Sequence, residues 1–518
     1  MKKFSIKTLV LLLILACSLF LVKDTGVLAQ DKVELKVMVY DRSVPGFKAD
    51  DNYWTRYIQK YFGDPNGITV KFIPVPRWQD VDKLNIFLAA GNAPDVCFTY
   101  DQDVIYRWVT QRFMTDLGPL MSRYGRNVSK YLGPFCMKTG MFDGKQYTVA
   151  ARRIMVGCMT AFIRKDWLDT LKLPLPTTRD EWYAALKQFK EKDPGKMGKD
   201  NVIPFDLNLN KQNVTWVARL LLDSFVPPSI TEEQEQSLTF CVWKKPGYKE
   251  GMRFLNKMWN EGLIAPEFAL DKNAKISEKN DSQGKVGSFM GNFDLPYRST
   301  PGISTELKKN VPNGLFVPVD CFKGPDGKRR KRQYEENGFY IFVPAMSKRS
   351  VEAVKYLDWM SDKQVLDTLL YGVEGINYKQ KTKEGIPINI PQEGEMRLSI
   401  DIPIIVNGND FGDVEKNILA GSLAQLPAYQ DLWRQAYRMS ITAERPYYDM
   451  PFPIASVAKY KTTLFEKDAE IFARTIMCKP AEFNALYDKL VNEFMRMGGD
   501  RVMKDRREYY RKNFGSKR

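Results

Sequence analysis

The 518-residue chain contains no histidine. That excludes Ser-His-Asp and Cys-His catalysis and removes the commonest metal ligand. Chemistry by a pair of carboxylates needs no histidine and stays open. The chain also lacks a G-x-x-x-x-G-K-[ST] loop, so it does not hydrolyse ATP on a P-loop of its own. No G-x-G-x-x-G opens a helix, and no G-x-S-x-G elbow occurs. Internal repeats and low-complexity linkers are missing. Only Leu9–Val22 forms a long apolar run, and at about 14 residues it is too short for a membrane span. The seven cysteines have no metal-type spacing. Apart from Cys17 they are Cys97, Cys136, Cys158, Cys241, Cys321 and Cys478, an even set compatible with disulfides or with buried thiols. One bridge at most is expected.

What is present begins with a leader. Lys2, Lys3 and Lys7 precede the apolar run, and Val27-Leu28-Ala29 precede Gln30, a secretory signal over residues 1–29. Ile14-Leu15-Ala16-Cys17 loosely resembles a lipobox. Leu15 fits that motif poorly, and the apolar run continues to Val22, so release after Ala29 is the expectation and a lipid anchor at Cys17 the alternative. The protein is therefore expected to be exported, to the periplasm or outside the cell. About 490 residues then remain, too many for one ordinary core, and two large lobes are expected.

The formal charge is +16. Residues 1–29 carry +3 of it, which leaves +13 on the mature chain. Such a surplus favours anionic partners such as acidic sugars, acidic surface polymers or nucleic acid, or it serves solubility alone. Cys321–Val343 reads as a hairpin turning at Gly324-Pro325-Asp326-Gly327, followed by Lys328, Arg329, Arg330, Lys331 and Arg332. No aromatic interrupts these charges, so a solvated hairpin is expected there rather than a nucleic-acid dock.

Val33–Tyr40 alternates as a strand, Asp51–Phe62 has helical spacing, and Ile68–Val75 is a second strand. Asp80 is placed as the cap of a helix carrying Val81, Leu84, Phe87 and Leu88, which stops at Gly91 before Pro94. Asp95–Tyr100 is a third strand. This alternation predicts a parallel sheet with helices on its faces. Further on, Ala161–Arg164 reads as a strand, Asp166–Leu171 as a helix and Leu173-Pro174-Leu175-Pro176 as an extended break. Thr178 and Glu181 then form a capping box. Trp182, Ala185, Leu186 and Phe189 follow at the spacing of one buried helix face.

That last run, opening Arg164-Lys165-Asp166-Trp167-Leu168 and centred on the pattern P-x-T-x-x-E-W at Pro176–Trp182, resembles extracellular solute-binding proteins of carbohydrate ABC importers. It is most similar to the large branch that includes alginate-oligosaccharide-binding proteins. Leu88-Ala89-Ala90-Gly91-Asn92-Ala93-Pro94-Asp95, Phe142–Tyr147, Tyr371–Tyr378 and Gly498-Gly499-Asp500 echo the same family, so the resemblance spans nearly the whole mature chain. It implies an α/β, two-lobed periplasmic-binding-protein fold of type 2, sugar-importer-like, with a hinge and an interlobe cleft. Lobe one would hold 30–147 plus 300–372, and lobe two 148–299 plus 373–518.

In open α/β sheets ligands bind beyond the carboxyl ends of strands. Sugars need flat apolar faces for their C–H sides and planar polar groups for their hydroxyls. Tyr40, Asp41 and Arg42 follow the first strand, Arg77 and Trp78 the second, Tyr100 and Asp101 the third. The resemblance implies that these loops line the cleft. It also implies that residues after Tyr147–Val149 face ligand. Neighbouring residues of an extended segment point oppositely, so one of Arg152 and Arg153 is expected there. Trp216 reads as core or platform. After a strand over Lys285–Phe289, Gly291 permits close approach, and the family places an aromatic platform near Asn292, Phe293 and Tyr297.

Many relatives carry a calcium loop after the capped helix. Here that loop, Asp193–Pro204, has Gly195 and Met197 where side-chain oxygens are wanted, and Asn201 and Val202 where the late acids stand. No metal and no cofactor is expected. The expected function is reversible capture of an oligosaccharide, acidic because of Arg42, Arg77 and Arg152/Arg153, for delivery to membrane permease subunits. The protein is expected to act as a monomer, without nucleic acid and without catalysis. A secreted glycosidase or lyase, or the sensing subunit of a sugar receptor, are the alternatives.

Overall fold

The computed structural model describes residues 33–209, 214–298, 302–390, 392, 394–450 and 454–515. The expected processing sites at Cys17 and Ala29 lie outside them. From its start the chain lays down β1 (Val33–Asp41), α1 (Tyr53–Ile58), β2 (Ile68–Pro76), α2 (Asp80–Ala90), β3 (Cys97–Thr99), α3 (Gln102–Thr110) and β4 (Val149–Arg153). Then come β5 (Met159–Arg164), α4 (Arg179–Lys192), β6 (Ile203–Phe205), β7 (Val286–Asn292), β8 (Phe316–Val319) and β9 (Arg330–Arg332). The chain continues with β10 (Asn337–Phe342), β11 (Val406–Asn407), α5 (Gln430–Ile441), β12 (Arg445–Tyr447), α6 (Ala455–Met477) and α7 (Asp500–Phe514).

β1 and β2 run parallel, and a parallel bridge from Val37 to Val96 joins them to the neighbourhood of β3. β10 lies antiparallel to both β3 and β4, and β11 is parallel to β4. The second sheet has the order β8-β5-β7-β6, antiparallel except between β6 and β7. The parallel arrangement expected of the first three strands is present, and β10 adds antiparallel pairing because the chain returns from the second lobe through it in the opposite sense.

Two separate apolar cores result. One collects buried residues from Leu35 to Ala151 and from Phe339 to Val406. The other collects residues from Cys158 to Phe322 and from Ile418 to Val502. The expected lobe boundaries therefore need correction. Ile303, Leu307, Phe316 and Val319 pack in the second core, where β8 hydrogen-bonds to β5. Ile402–Val406 pack in the first core. The return crossing falls near 334–337 instead of 300, and the last near 407–413 instead of 372.

Local chemistry accounts for the elements. Asn52 and Thr55 close a capping box at α1, two residues inside the expected start at Asp51. Asp80 is the first residue of α2 rather than its cap; its carboxylate is spent on the hydroxyls of Tyr40 (2.8 Å) and Thr99 (2.9 Å). Gly91 ends α2 with φ +70°, a left-handed turn that costs glycine nothing. At α4 the Thr178–Glu181 box forms, and Trp182, Ala185, Leu186 and Phe189 are all buried. The Trp182 indole donates to Ser288 Oγ at 3.0 Å and meets Phe205 and Phe322 edge to face.

The basic run is not a solvated hairpin. A bridge between Lys323 and Arg329 closes the turn, but β9 then pairs parallel with β12 and becomes part of the second lobe. Arg330 and Lys331 are each 4% exposed. Buried cations require partners. Arg330 shares Glu235 with Lys245, whose own contact is 2.6 Å; Lys331 holds Asp320 at 2.7 Å, and Arg332 holds Asp449. The six cysteines of the described residues are free thiols, five of them buried.

Trp182→Ala should cost about 3–5 kcal/mol of stability, the usual range for emptying a buried aromatic site, read as a lower urea midpoint. A second expectation concerns Asp206. Burial, reinforced by Asp271, raises its carboxyl above the ordinary range. The folded state then holds a proton that the unfolded chain releases near pH 4. That contribution is complete below about pH 4 and is lost as pH rises through the raised value. Asp206→Asn should flatten this decline in melting temperature; an unchanged pH profile would refute the assignment.

Candidate functional site

Three stretches of chain cross between the lobes, and they are hydrogen-bonded to one another. Arg153 N donates to Glu336 O (2.6 Å), Ile154 N to Asn407 O (2.9 Å) and Tyr334 N to Val156 O (3.0 Å). The site is built beside this strap.

From the first lobe, the ends of β1, β2 and β3 bring Arg77 to Tyr40, Tyr100 and Trp78. Its guanidinium carbon lies 4.7, 4.6 and 4.8 Å from the three ring centres, within cation–π range. The Tyr40 and Tyr100 rings are nearly parallel, 8° apart. Tyr100 is half-buried, and its hydroxyl accepts from Asn407 Nδ2 at 2.6 Å, which ties it to the third crossing. Trp78 is 77% exposed and presents a free aromatic face. Arg42 forms a two-bond pair with Asp401 at 2.6 and 2.8 Å.

From the first crossing, Arg153 reaches the Tyr334 ring at 4.4 Å and the Tyr100 ring at 6.0 Å. Tyr334, on the second crossing, lies 6.4 Å from Trp216 at 30°. Arg332 stands 5.8 Å from Trp216 and 5.4 Å from Tyr334. Arg298 of the second lobe is paired with Asp294 at 2.9 and 3.0 Å and feels the charge of Arg42 from the opposite lobe.

Cations outnumber carboxylates here, because Arg77 and Arg153 stand beside the pairs Arg42–Asp401, Arg298–Asp294 and Arg332–Asp449. Burial, helped by Asp401, holds the Tyr100 hydroxyl above its ordinary value, and Arg153, Arg77 and Arg42 oppose that rise without cancelling it. Burial also pushes the Asp449 carboxyl upward, but Arg332, Arg506, Arg219 and Lys245 outweigh it and hold that group below its ordinary value. Arg77 has no carboxylate partner among the described residues, and neither does Arg153, whose Nε donates only to Asn337 O at 3.2 Å.

Of the sequence-derived candidates, Arg42, Arg77, Trp78, Tyr100, Arg153 and Trp216 gather here. Tyr40 is buried with its hydroxyl occupied and serves as backing for Arg77. Other candidates lie elsewhere. Asp41 accepts from Ser43 N in a local turn. Asp101 caps α3 and binds Lys461. Arg152 pairs with Asp410 at 3.2 Å, beside Tyr131, as alternation along β4 requires. Asn292 is half-buried at the end of β7, with Oδ1 unpartnered. Phe293 and Tyr297 are core, not platform. Phe293 packs against Trp433 and Tyr437 of α5, and Tyr297 is fully buried with its hydroxyl on Phe316 O. Sequence reasoning missed Tyr334, Arg298, Arg332, Asp401 and Asn407. Tyr334 sits two residues after the basic run, the one local signal that could have found it.

A family model described as bacterial extracellular solute-binding protein matches residues 47–366. The chain belongs to that family. Among its relatives, Lipoprotein LipO of Bacillus subtilis is 26% identical over 421 residues, 78% of this chain and 80% of its own. The polygalacturonan/rhamnogalacturonan-binding protein YtcQ of Bacillus subtilis is 29% identical over 316 residues, 59% of this chain and 60% of its own. The solved alginate-binding protein AlgQ2 without calcium ion is 17% identical, with TM-score 0.67 over 93% of this chain and 98% of that one. The Streptococcus pneumoniae substrate-binding protein FusA, as an EF-hand mutant with fructo-nystose, gives 0.65 at 16% identity over 93% and 100%. The fold is the two-lobed binding-protein fold expected from sequence, and members of this family are carriers, not enzymes.

The calcium loop of relatives does not fit a cation here. Asp193 spends both oxygens on backbone amides, Met197 N at 2.8 Å and Gly198 N at 2.7 Å. Lys190 Nζ donates to the Lys199 carbonyl at 3.0 Å, so this backbone oxygen of the loop is already engaged by a cation. Melting temperatures with chelator and with millimolar calcium should therefore coincide; a rise with calcium would overturn this reading.

Proposed function

We propose that the protein captures an acidic, uronate-containing oligosaccharide between its lobes and delivers it to the permease subunits of an ABC importer. The carrying observation is the pair Arg77 and Arg153. These two guanidiniums flank Tyr100, are held by aromatic rings and lack a carboxylate among the described residues. A guanidinium offers two parallel N–H groups that match a carboxylate. Trp78, Tyr334 and Trp216 supply ring faces for the C–H sides of pyranoses. YtcQ is a polygalacturonan/rhamnogalacturonan-binding protein and AlgQ2 an alginate-binding one, which supports the acidic reading, whereas FusA serves fructooligosaccharides.

The protein acts as a monomer and has no nucleic-acid partner, since the basic run is internally paired. The leader over residues 1–29 directs export. Labelling of wild type and Cys17→Ser with radioactive palmitate decides between release after Ala29 and a lipid anchor at Cys17. Among the described residues no helix is long and apolar enough to cross a membrane.

Calorimetry with trigalacturonate and its neutral galactose analogue tests the ligand class. Wild type should favour the uronate, and Arg153→Ala should cost about 2–5 kcal/mol for the uronate and far less for the neutral sugar. Arg152→Ala, whose partner is Asp410, should leave that preference intact. Equal losses for both sugars, or tighter binding of the neutral one by wild type, would overturn the acidic reading. Cleaved sugar on recovery would mean an enzyme.

A further inference from the structure

Lys461 on α6 donates to both carboxylate oxygens of Asp101, at 2.9 and 3.0 Å, and to Asp103 at 2.9 Å. The partners belong to different lobes. α6 contributes Val457, Leu464, Ile471 and Phe472 to the second core, and α3 contributes Val104, Ile105 and Trp108 to the first. Among the described residues the two apolar cores are separate clusters on either side of this contact. Its other link is also polar, Gln102 Nε2 to Met450 O at 3.3 Å, with Gln102 steadied by the Tyr340 hydroxyl at 2.7 Å. Lys461 and Asp101 are partly open to water, with side chains 22% and 29% exposed. Asp101 immediately follows Tyr100 in sequence, and Gln102 is linked through the Tyr340 hydroxyl to Asn337 at the second crossing.

These features describe a bond that can break. Lys461 and Asp101 already reach water and meet it fully as they part. The Asp101 carboxylate keeps a role afterwards, because it caps α3 through the amides of Asp103 and Val104. One cation gripping two carboxylates therefore favours the arrangement in which the lobes are together.

We propose that Lys461 with Asp101 and Asp103 is an interlobe latch, made when the cleft closes and broken when it opens, which sets how tightly the site holds its ligand. A ligand that binds only the closed state has its affinity scaled by the closed population. The latch does not depend on the ligand being acidic.

Small-angle scattering of the ligand-free protein and titration with trigalacturonate test it, using Lys461→Met and Lys461→Arg. Lys461→Met should have a larger radius of gyration than wild type and bind about tenfold more weakly. Lys461→Arg keeps the charge and should behave as wild type. Raising salt from about 0.02 to about 0.5 M should expand wild type and leave Lys461→Met unchanged, because salt screens partly exposed charges. If Lys461→Met misfolds, Asp103→Asn on the opposite lobe carries the same expectation. Identical scattering and affinity for wild type and the neutral variant would overturn the latch, as would weaker binding at an unchanged radius. Failure of wild type to bind trigalacturonate would count against the acidic ligand, and scattering would still decide the latch.

Discussion

The strap of three hydrogen-bonded crossings is the constraint on which the rest depends. Two lobes with separate apolar cores could sit in many relative positions. Backbone bonds from Arg153 to Glu336, from Ile154 to Asn407 and from Tyr334 to Val156 hold the crossings side by side. This places Arg153, Tyr334 and Asn407 on a common framework between the lobes. Asn407 in turn fixes Tyr100, and Tyr100 is the ring around which Arg77 and Arg153 are arranged. The strap is thus both the link that can bend and the floor of the site.

Charge is handled in two ways. Deep in the second lobe, Arg330, Lys331 and Lys245 are paired with Glu235 and Asp320, as buried ions must be. In the cleft, aromatic rings replace carboxylates as partners of Arg77 and Arg153. A ring steadies a guanidinium without neutralising it, so its N–H groups remain available to an incoming anion. The first arrangement supports the lobe, and the second equips the site.

How far each feature could be read from sequence followed its range along the chain. The Thr178–Glu181 box and the buried face Trp182, Ala185, Leu186, Phe189 were legible because capping and helical periodicity act within a few residues. The strand ends that bring in Arg42, Arg77 and Tyr100 were legible because loops at the carboxyl ends of neighbouring strands converge. The charges of Lys328–Arg332 misled, because their partners Glu235, Asp320, Glu444 and Asp449 are remote in sequence or carry no local mark of pairing. Phe293 and Tyr297 misled for the same reason, since Trp433, Tyr437 and Phe316 bury them.

By itself the sequence determined the Thr178–Glu181 cap, the first strands, the misfit of the calcium loop and the positive charge of the chain, all of which depend on near neighbours or on composition. Only the tertiary structure decided that Arg152 pairs with Asp410 while Arg153 meets Tyr334, that Asp101 serves Lys461, and where the chain crosses between lobes. Those outcomes rest on contacts between residues far apart along the chain, such as Asp101 with Lys461 and Arg42 with Asp401. Local preference cannot encode such pairs, because each exists only once both cores have formed.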